Sequence, residues 1–340
     1  MSNASDIRID ILEKVTGNAK YSGDYNILGM LHAKILWPKY SVAKIIKIDT
    51  SRAEKMYGVE KVITRKHIKG TNLSGIFEPY DRPVLVGENE EVKFFGDALA
   101  IVVANSEEIA VEALEKIEVD YEPLPGIFTL EEAMEKSKPC YTFENKKGNI
   151  KEGFSKAYCI IENKYEFPYV EHAYLEPESG YAFVDGQGVV NVCYGSQNLA
   201  RHHRMICKSL GLSYNKVRLY SPYIGGAFGG KHAISVQIYL TLAAYIVKKA
   251  VKLIWTREES LAGSKRHKIK ARSKLGLSKE GKMIALEAEI DSLAGPYMGY
   301  ADKTLKAAVY EVVGPYSIEY TNIVGKAYHT NNIDITAFRG

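Results

Sequence analysis

Residues Tyr223–His232 read YIGGAFGGKH, with four glycines packed around one phenylalanine. Glycine this dense disfavours both helix and strand, so the stretch must be a turn whose course its neighbours fix. Upstream, Lys216–Tyr220 (KVRLY) alternates as a strand does, and downstream Ala233–Val247 (AISVQIYLTLAAYIV) is almost wholly apolar. The order strand, glycine loop, apolar helix calls for a layered fold in which the helix packs against a sheet. It also leaves a row of bare backbone amides below the positive end of that helix, a natural seat for an anionic or electron-rich group.

Three readings of the loop stay open on these residues alone. From Gly225 to Lys231 it fits G-x-x-x-x-G-K, the phosphate-cradling loop of nucleotide-binding proteins, but the next residue is His232 where a magnesium-holding Ser or Thr is required. An Asp closing an apolar strand does occur at Asp49 (IIKID), far upstream. The loop could instead hold a different guest, or only turn the chain.

Composition narrows the field. The apolar run Ala233–Val247 is shorter than the roughly 20 residues a membrane span needs and carries Ser235, Gln237 and Thr241, so it reads as a buried helix. With 340 residues and 46% hydrophobic composition, the chain can fill the cores of two or more domains. Its 45 basic and 41 acidic residues are too balanced for a nucleic-acid footprint. The opening MSNASDIRID lacks the basic start and apolar run of a secretory signal, which predicts a cytoplasmic protein. Cys140, Cys159, Cys193 and Cys207 are scattered without a C-x-x-C pair, so they predict reduced thiols rather than a zinc or iron–sulfur site.

Along the chain, strands are expected at Leu31–Trp37, Ala43–Asp49 and Ala98–Ala104. Ser106 should cap a helix that presents Ile109, Ala110, Ala113, Leu114 and Ile117, and a second strand, IEVDYEPL, follows it. Thr129–Lys151 shows no sustained period and reads as an irregular boundary region. Further strands are expected at Ala157–Phe167, Tyr181–Val184 and Val189–Tyr194, then a helix at Ala200–Leu210 stopped by Gly211. The basic run Ser264–Arg272 alternates and reads as a solvated strand that leads through the turn KEGK into MIALEAEI. The expected fold class is α+β, with one domain over residues 12–130 and another over 131–340.

Six ordered segments carry a family resemblance. They are KVTGNAKYSGDY (Lys14–Tyr25), EHAYLEPES (Glu171–Ser179), GSQN (Gly195–Asn198), the loop IGGAFGGK, and LIWTREES (Leu253–Ser260) followed by AFRG (Ala337–Gly340). Their order, with Gln197 thirty-one positions before Phe228, resembles the large subunit of the molybdenum hydroxylases, the xanthine dehydrogenase and aldehyde oxidase family. The resemblance implies an N-terminal α/β hammerhead-type domain followed by the first half of a mixed α/β molybdopterin-binding domain. It implies hydroxylation of an aldehyde or a purine-like N-heterocycle with water as the oxygen source. It also implies that Gln197 donates its amide to an oxygen on molybdenum, that Gly226, Ala227, Phe228 and Gly229 approach the molybdopterin cofactor by backbone, and that Arg339 sits at the cofactor edge. Iron–sulfur clusters and FAD are then expected on partner subunits, since this chain offers no cluster ligands.

Two departures shape the functional expectation. Purine-hydroxylating members carry Glu after the loop lysine, where this chain has His232, so His232 becomes the candidate substrate residue and xanthine a poor fit. The family's catalytic glutamate belongs to a second half of the cofactor domain that does not occur in these 340 residues, so no catalytic residue is expected here. The three glutamates of EHAYLEPES, Glu171, Glu176 and Glu178, lie outside the segment that removes protons in the family. The expected partners are an iron–sulfur subunit and an FAD subunit; the 340 residues are either a truncated fragment or one piece of a split subunit whose partner is a second molybdenum-subunit chain, and the isolated chain is expected to be inactive. A non-catalytic assembly remnant and a nucleotide-binding protein using Gly225–Lys231 are the competing functions.

Overall fold

The computed structural model describes residues 8–339. Its main body is a seven-stranded sheet in the order Val217–Tyr220, Val190–Tyr194, Ser179–Val184, Val251–Ile254, Leu31–Leu36, Ala100–Ala104, Val59–Thr64. The first four of these strands come from the later part of the sequence and the last three from the earlier part. They meet where Leu31 and His32 pair in parallel with Val251 and Lys252. One continuous core therefore runs from Ile35 and Val103 to Val192 and Leu240.

The apolar run Val236–Val247 is the helix expected from its composition, packed on the Ser179–Val184 and Val190–Tyr194 strands and buried over nine residues from Val236 to Ala244. A second sheet of five strands is ordered Cys159–Phe167, Ile269–Leu277, Met283–Gly295, Tyr320–His329, Tyr141–Lys147. The helix Ala301–Glu311 covers its inner strands through Leu305 and Val309.

Three local expectations need correction. Thr129–Lys151 is not irregular: Thr129 caps a helix over Leu130–Lys136, with Glu131 and Glu132 in its first turn, and Tyr141–Lys147 closes the edge of the second sheet. The charge on this strand masked its alternation. Ser106 does cap the helix Glu107–Leu114, but the strands on either side of that helix join different sheets. Glu118–Pro123 pairs with Ala43–Asp49 in a small three-stranded sheet instead of returning beside Ala100–Ala104. Finally, the long helix does not start at the glycine loop. A single 3-10 turn, Gly230–His232, comes first, then an extended Ala233, and the helix begins only at Val236.

Candidate cofactor site

The glycine loop is held by contacts from three distant segments. Gly226, Phe228 and Gly229 all have positive φ, at 98°, 48° and 106°. For the two glycines this costs little, whereas Phe228 carries a left-handed strain of about 1–2 kcal/mol. That conformation turns the Phe228 ring outward, leaving it 46% exposed. The strained turn is fixed on both sides. The Arg339 N–H donates to Phe228 O at 2.8 Å, and the Gly229 N–H donates to Gln197 Oε1 at 3.2 Å. Gly229 must lack a side chain, since a Cβ there would meet Ala337 O at 2.4 Å.

Gln197, Gly226, Ala227, Phe228, Gly229 and Arg339 thus converge on one surface, although 142 positions separate Gln197 from Arg339. Gln197 Oε1 accepts from Gly229, its NH2 has no acceptor among the described residues, and the residue is exposed. The N–H groups of Gly226, Ala227 and Phe228 have no acceptor among the described residues. The Arg339 guanidinium is exposed and has no carboxylate within ion-pair reach among them. The free side-chain amide, the three backbone amides and the guanidinium are donors, which suits a guest rich in anionic oxygens.

Lys231 sits elsewhere. Its ammonium points into the protein, 2% exposed, and pairs with Glu176 at 2.6 Å with the Tyr174 ring 4.9 Å away. Burial lowers its pKa despite that partner. The same carboxylate accepts from the Gly225 N–H at 2.7 Å and from the Ser22 hydroxyl at 3.0 Å. The lysine is therefore a structural pin beneath the loop and is not free to hold phosphate. Together with the late start of the helix, this removes the nucleotide-loop reading.

EHAYLEPES forms the floor of the site. His172 bonds through Nε2 to Ala337 O at 2.8 Å and stacks on Phe338 at 4.6 Å, which presses the segment bearing Arg339 against the loop. Burial lowers the His172 pKa, so the ring is neutral and its Nε2–H donates. Glu171 pairs with Lys265, and Glu178 receives the Tyr174 hydroxyl while burial raises its own pKa. Two of the three glutamates are thus held in ion pairs, and Glu178, buried against Tyr174, keeps one carboxylate oxygen without a partner. Beneath this floor lies a cavity of about 290 Å3 walled by Trp37, Phe94, Ile234 and Trp255.

His232 stands at the rim. Its ring is half-buried and lies edge-on to Tyr300 at 6.1 Å, and Tyr300 in turn meets Phe77 at 5.1 Å. The Arg201 guanidinium lies 4.3 Å from the Phe77 ring centre, one helical turn after Gln197. Burial first, and Arg201 second, lower the His232 pKa, so the imidazole is neutral at pH 7. Its Nδ1 is buried without a partner. Phe77, Arg201 and Tyr300 were not legible as site residues, because each comes from a segment without a motif.

The sequence comparisons bear directly on this arrangement. Residues 133–340 match the molybdopterin cofactor-binding domain, and residues 16–125 match the a/b hammerhead domain of aldehyde oxidase and xanthine dehydrogenase. The chain belongs to the aldehyde oxidase and xanthine dehydrogenase family. It is 34% identical over 343 residues to the nicotinate dehydrogenase large molybdopterin subunit of Eubacterium barkeri, covering 98% of this chain and 80% of that one. It is also 34% identical to a probable xanthine dehydrogenase subunit of Bacillus subtilis, of which it spans 46%. The aldehyde oxidoreductase of Desulfovibrio gigas superposes with a TM-score of 0.93 at 28% identity, over 98% of this chain and 39% of that one. The fold expectation, a hammerhead domain followed by a molybdopterin-binding domain, is borne out, and the cofactor type is the molybdopterin one. No helix among the described residues is long and apolar enough to cross a membrane.

Proposed function

We propose that this chain supplies the loop side of the molybdenum-cofactor site in a hydroxylase that oxidises an aldehyde or N-heterocycle with water as the oxygen source. The observation that carries this reading is the convergence of unpartnered donors: the Gln197 amide, the Gly226–Phe228 amides and the Arg339 guanidinium. When bound, the molybdenum cofactor supplies the two-electron redox chemistry.

The residues of this chain bind and orient. Gln197, held by Gly229, offers a neutral N–H whose strength does not depend on matching a fixed charge, so it tolerates a guest whose charge changes during turnover. The backbone of Gly226, Ala227 and Phe228 admits the guest closely because only small side chains precede Phe228. Arg339 spreads its positive charge over anionic oxygens at the edge. His232, neutral and edge-on to Tyr300, has its Nδ1 buried and so offers a planar heterocyclic substrate only its Nε2, as donor or acceptor according to tautomer, where purine-hydroxylating members have a carboxylate. The nicotinate named for the Eubacterium barkeri relative is a heterocycle of this kind.

Proton removal falls to a group outside these 340 residues, because Glu171 and Glu176 are held in ion pairs and Glu178 is buried against Tyr174. We therefore expect no turnover from the chain alone. The proposed partners are an iron–sulfur subunit, an FAD subunit and a second molybdenum-subunit chain. The test is purification of the assembly from its native source, with molybdenum analysis and identification of each copurifying chain. Molybdenum together with a companion chain supports the reading. Partners without molybdenum would indicate an assembly role, and full activity of the isolated chain would overturn the division of labour.

A further inference from the structure

The strand Cys159–Phe167 forms one edge of the second sheet, and all nine of its residues are exposed. Its inner side pairs antiparallel with Ile269–Leu277 along its whole length, while its outer side has no strand beside it among the described residues. A straight, unbulged edge this long, with Ile160, Ile161, Tyr165 and Phe167 each more than 40% exposed, is one that soluble proteins blunt or cover.

The charges on this edge show what covers it. On one face of the sheet the cross-strand columns alternate in sign: Lys274, Arg272 and Lys270 lie opposite Glu287, Glu289 and Asp291 on their inner side. On their outer side they meet Glu162, Lys164 and Glu166. Two of these three outer positions are complementary. The third sets Lys164 directly against Arg272, a like-charge pair that weakens a sheet. Glu162 is 3.3 Å from Lys274 and Glu166 is 2.6 Å from Lys268, but Lys164 has no acidic partner within ion-pair distance among the described residues. An acid brought in from the open side would offset this repulsion.

We propose that a second copy of this chain adds its own Cys159–Phe167 antiparallel to this edge, about a two-fold axis through Asn163. In that register Lys164 faces Glu162 of the second copy and Glu162 faces its Lys164, so both acquire an opposite charge. On the other face Ile161 meets Tyr165, Cys159 meets Phe167 and Asn163 meets itself, which extends the half-buried apolar row Ile269, Ala271 and Leu275 across the junction. The segment CIIENKYEF is self-complementary in this arrangement: a slip of one residue sets the side chains on opposite faces, and a slip of two sets Glu162 on Glu162 or Lys164 on Lys164. The two five-stranded sheets become one of ten strands, with an isologous interface. This surface is separate from the cofactor loop, and the inference does not depend on what the loop binds.

Three variants of the full chain test the register by sedimentation across protein concentration. The parent should dimerise. Lys164→Glu sets two acids opposite one another at both crossings and should weaken dimerisation at least tenfold. Combining it with Glu162→Lys restores opposite charges across the axis, and should return the dimer even though it disturbs the pairs within each copy. Asn163→Cys places two thiols at the axis and should give a disulfide-linked dimer under mild oxidation, whereas native Cys159, far from its own copy in this register, should not. A parent monomeric at all concentrations, a charge swap that fails to restore association, or a cross-link from position 163 to a different chain in the native assembly would each overturn the proposal.

Discussion

Removing the carboxylate of Glu176 should unpin the glycine loop without touching any residue that faces the guest. In the parent this side chain accepts from Lys231 Nζ at 2.6 Å, the Gly225 N–H at 2.7 Å and the Ser22 hydroxyl at 3.0 Å. Glu176→Ala leaves an ammonium that is 2% exposed without a counter-charge, a change that typically costs about 3–5 kcal/mol. The Tyr174 ring at 4.9 Å offsets part of this, roughly 0.5–1 kcal/mol, so the expected loss is near the lower end, about 3 kcal/mol. At about 2–4 °C per kcal/mol for large domains, the melting midpoint should fall by roughly 6–12 °C. Circular dichroism follows the whole fold. Trp37 and Trp255, the only tryptophans in the sequence, wall the cavity beneath the site and report on it by fluorescence. Adding Lys231→Met to Glu176→Ala removes the stranded charge and should recover most of the loss. A single variant that melts within about 2 °C of the parent, less than the shift of 1 kcal/mol, would refute the reasoning, as would a double variant no better than the single one.

Other outcomes follow from the same geometry. Gln197→Glu keeps the acceptor for the Gly229 N–H but removes the free donor. It should leave the melting midpoint nearly unchanged and lower the molybdenum content of the purified assembly at least tenfold, by elemental analysis. Phe228→Gly relieves the left-handed strain and should raise stability by about 1 kcal/mol in urea titration. Gly229→Ala, whose Cβ would strike Ala337 O, should lower stability by more than about 2 kcal/mol and expose the Arg339 segment to proteolysis. In acid, burial lowers His202 and His267 to about 4, so the unfolded chain binds more protons below about 6.5 and stability should fall from there toward pH 4. Asp97 acts in the opposite sense. Its carboxyl is raised to about 6 by burial, so it favours the fold as pH falls through about 6 toward 4. The two histidines outweigh it, and Asp97→Asn should make the measured acid decline steeper between pH 6 and 4.

What was legible in the sequence was whatever local chemistry determines. Gly211 ends its helix at a φ of 72°, Ser106 caps its own through the Ile109 N–H, and Ala43–Asp49 forms the strand its alternation predicts. The six segments located Gln197, the loop and Arg339 in one family pattern, and the fold brings them together. What stayed hidden depends on long-range pairing. No local signal tells that Glu118–Pro123 leaves the sheet of the strand before it, or that Glu176 is the acid that captures Lys231, because partner choice is made by segments more than fifty positions apart. The G-x-x-x-x-G-K match misled for the same reason. Spacing records that a lysine follows a glycine, whereas the direction of its side chain is decided by a buried acid in another segment.

The join between the early and late strands of the main sheet has a consequence during synthesis. Leu31–Leu36 can pair with Ala100–Ala104 as soon as both have left the ribosome, but its other neighbour, Val251–Ile254, emerges roughly 150 residues later. At about 5–20 residues per second the nascent chain waits roughly 7–30 s with an apolar strand edge open to solvent or to any other nascent chain. Yield in heterologous expression should therefore respond more to translation speed and to chaperones that shield strand edges than to changes at the cofactor loop, which closes only after the sheet behind it is complete.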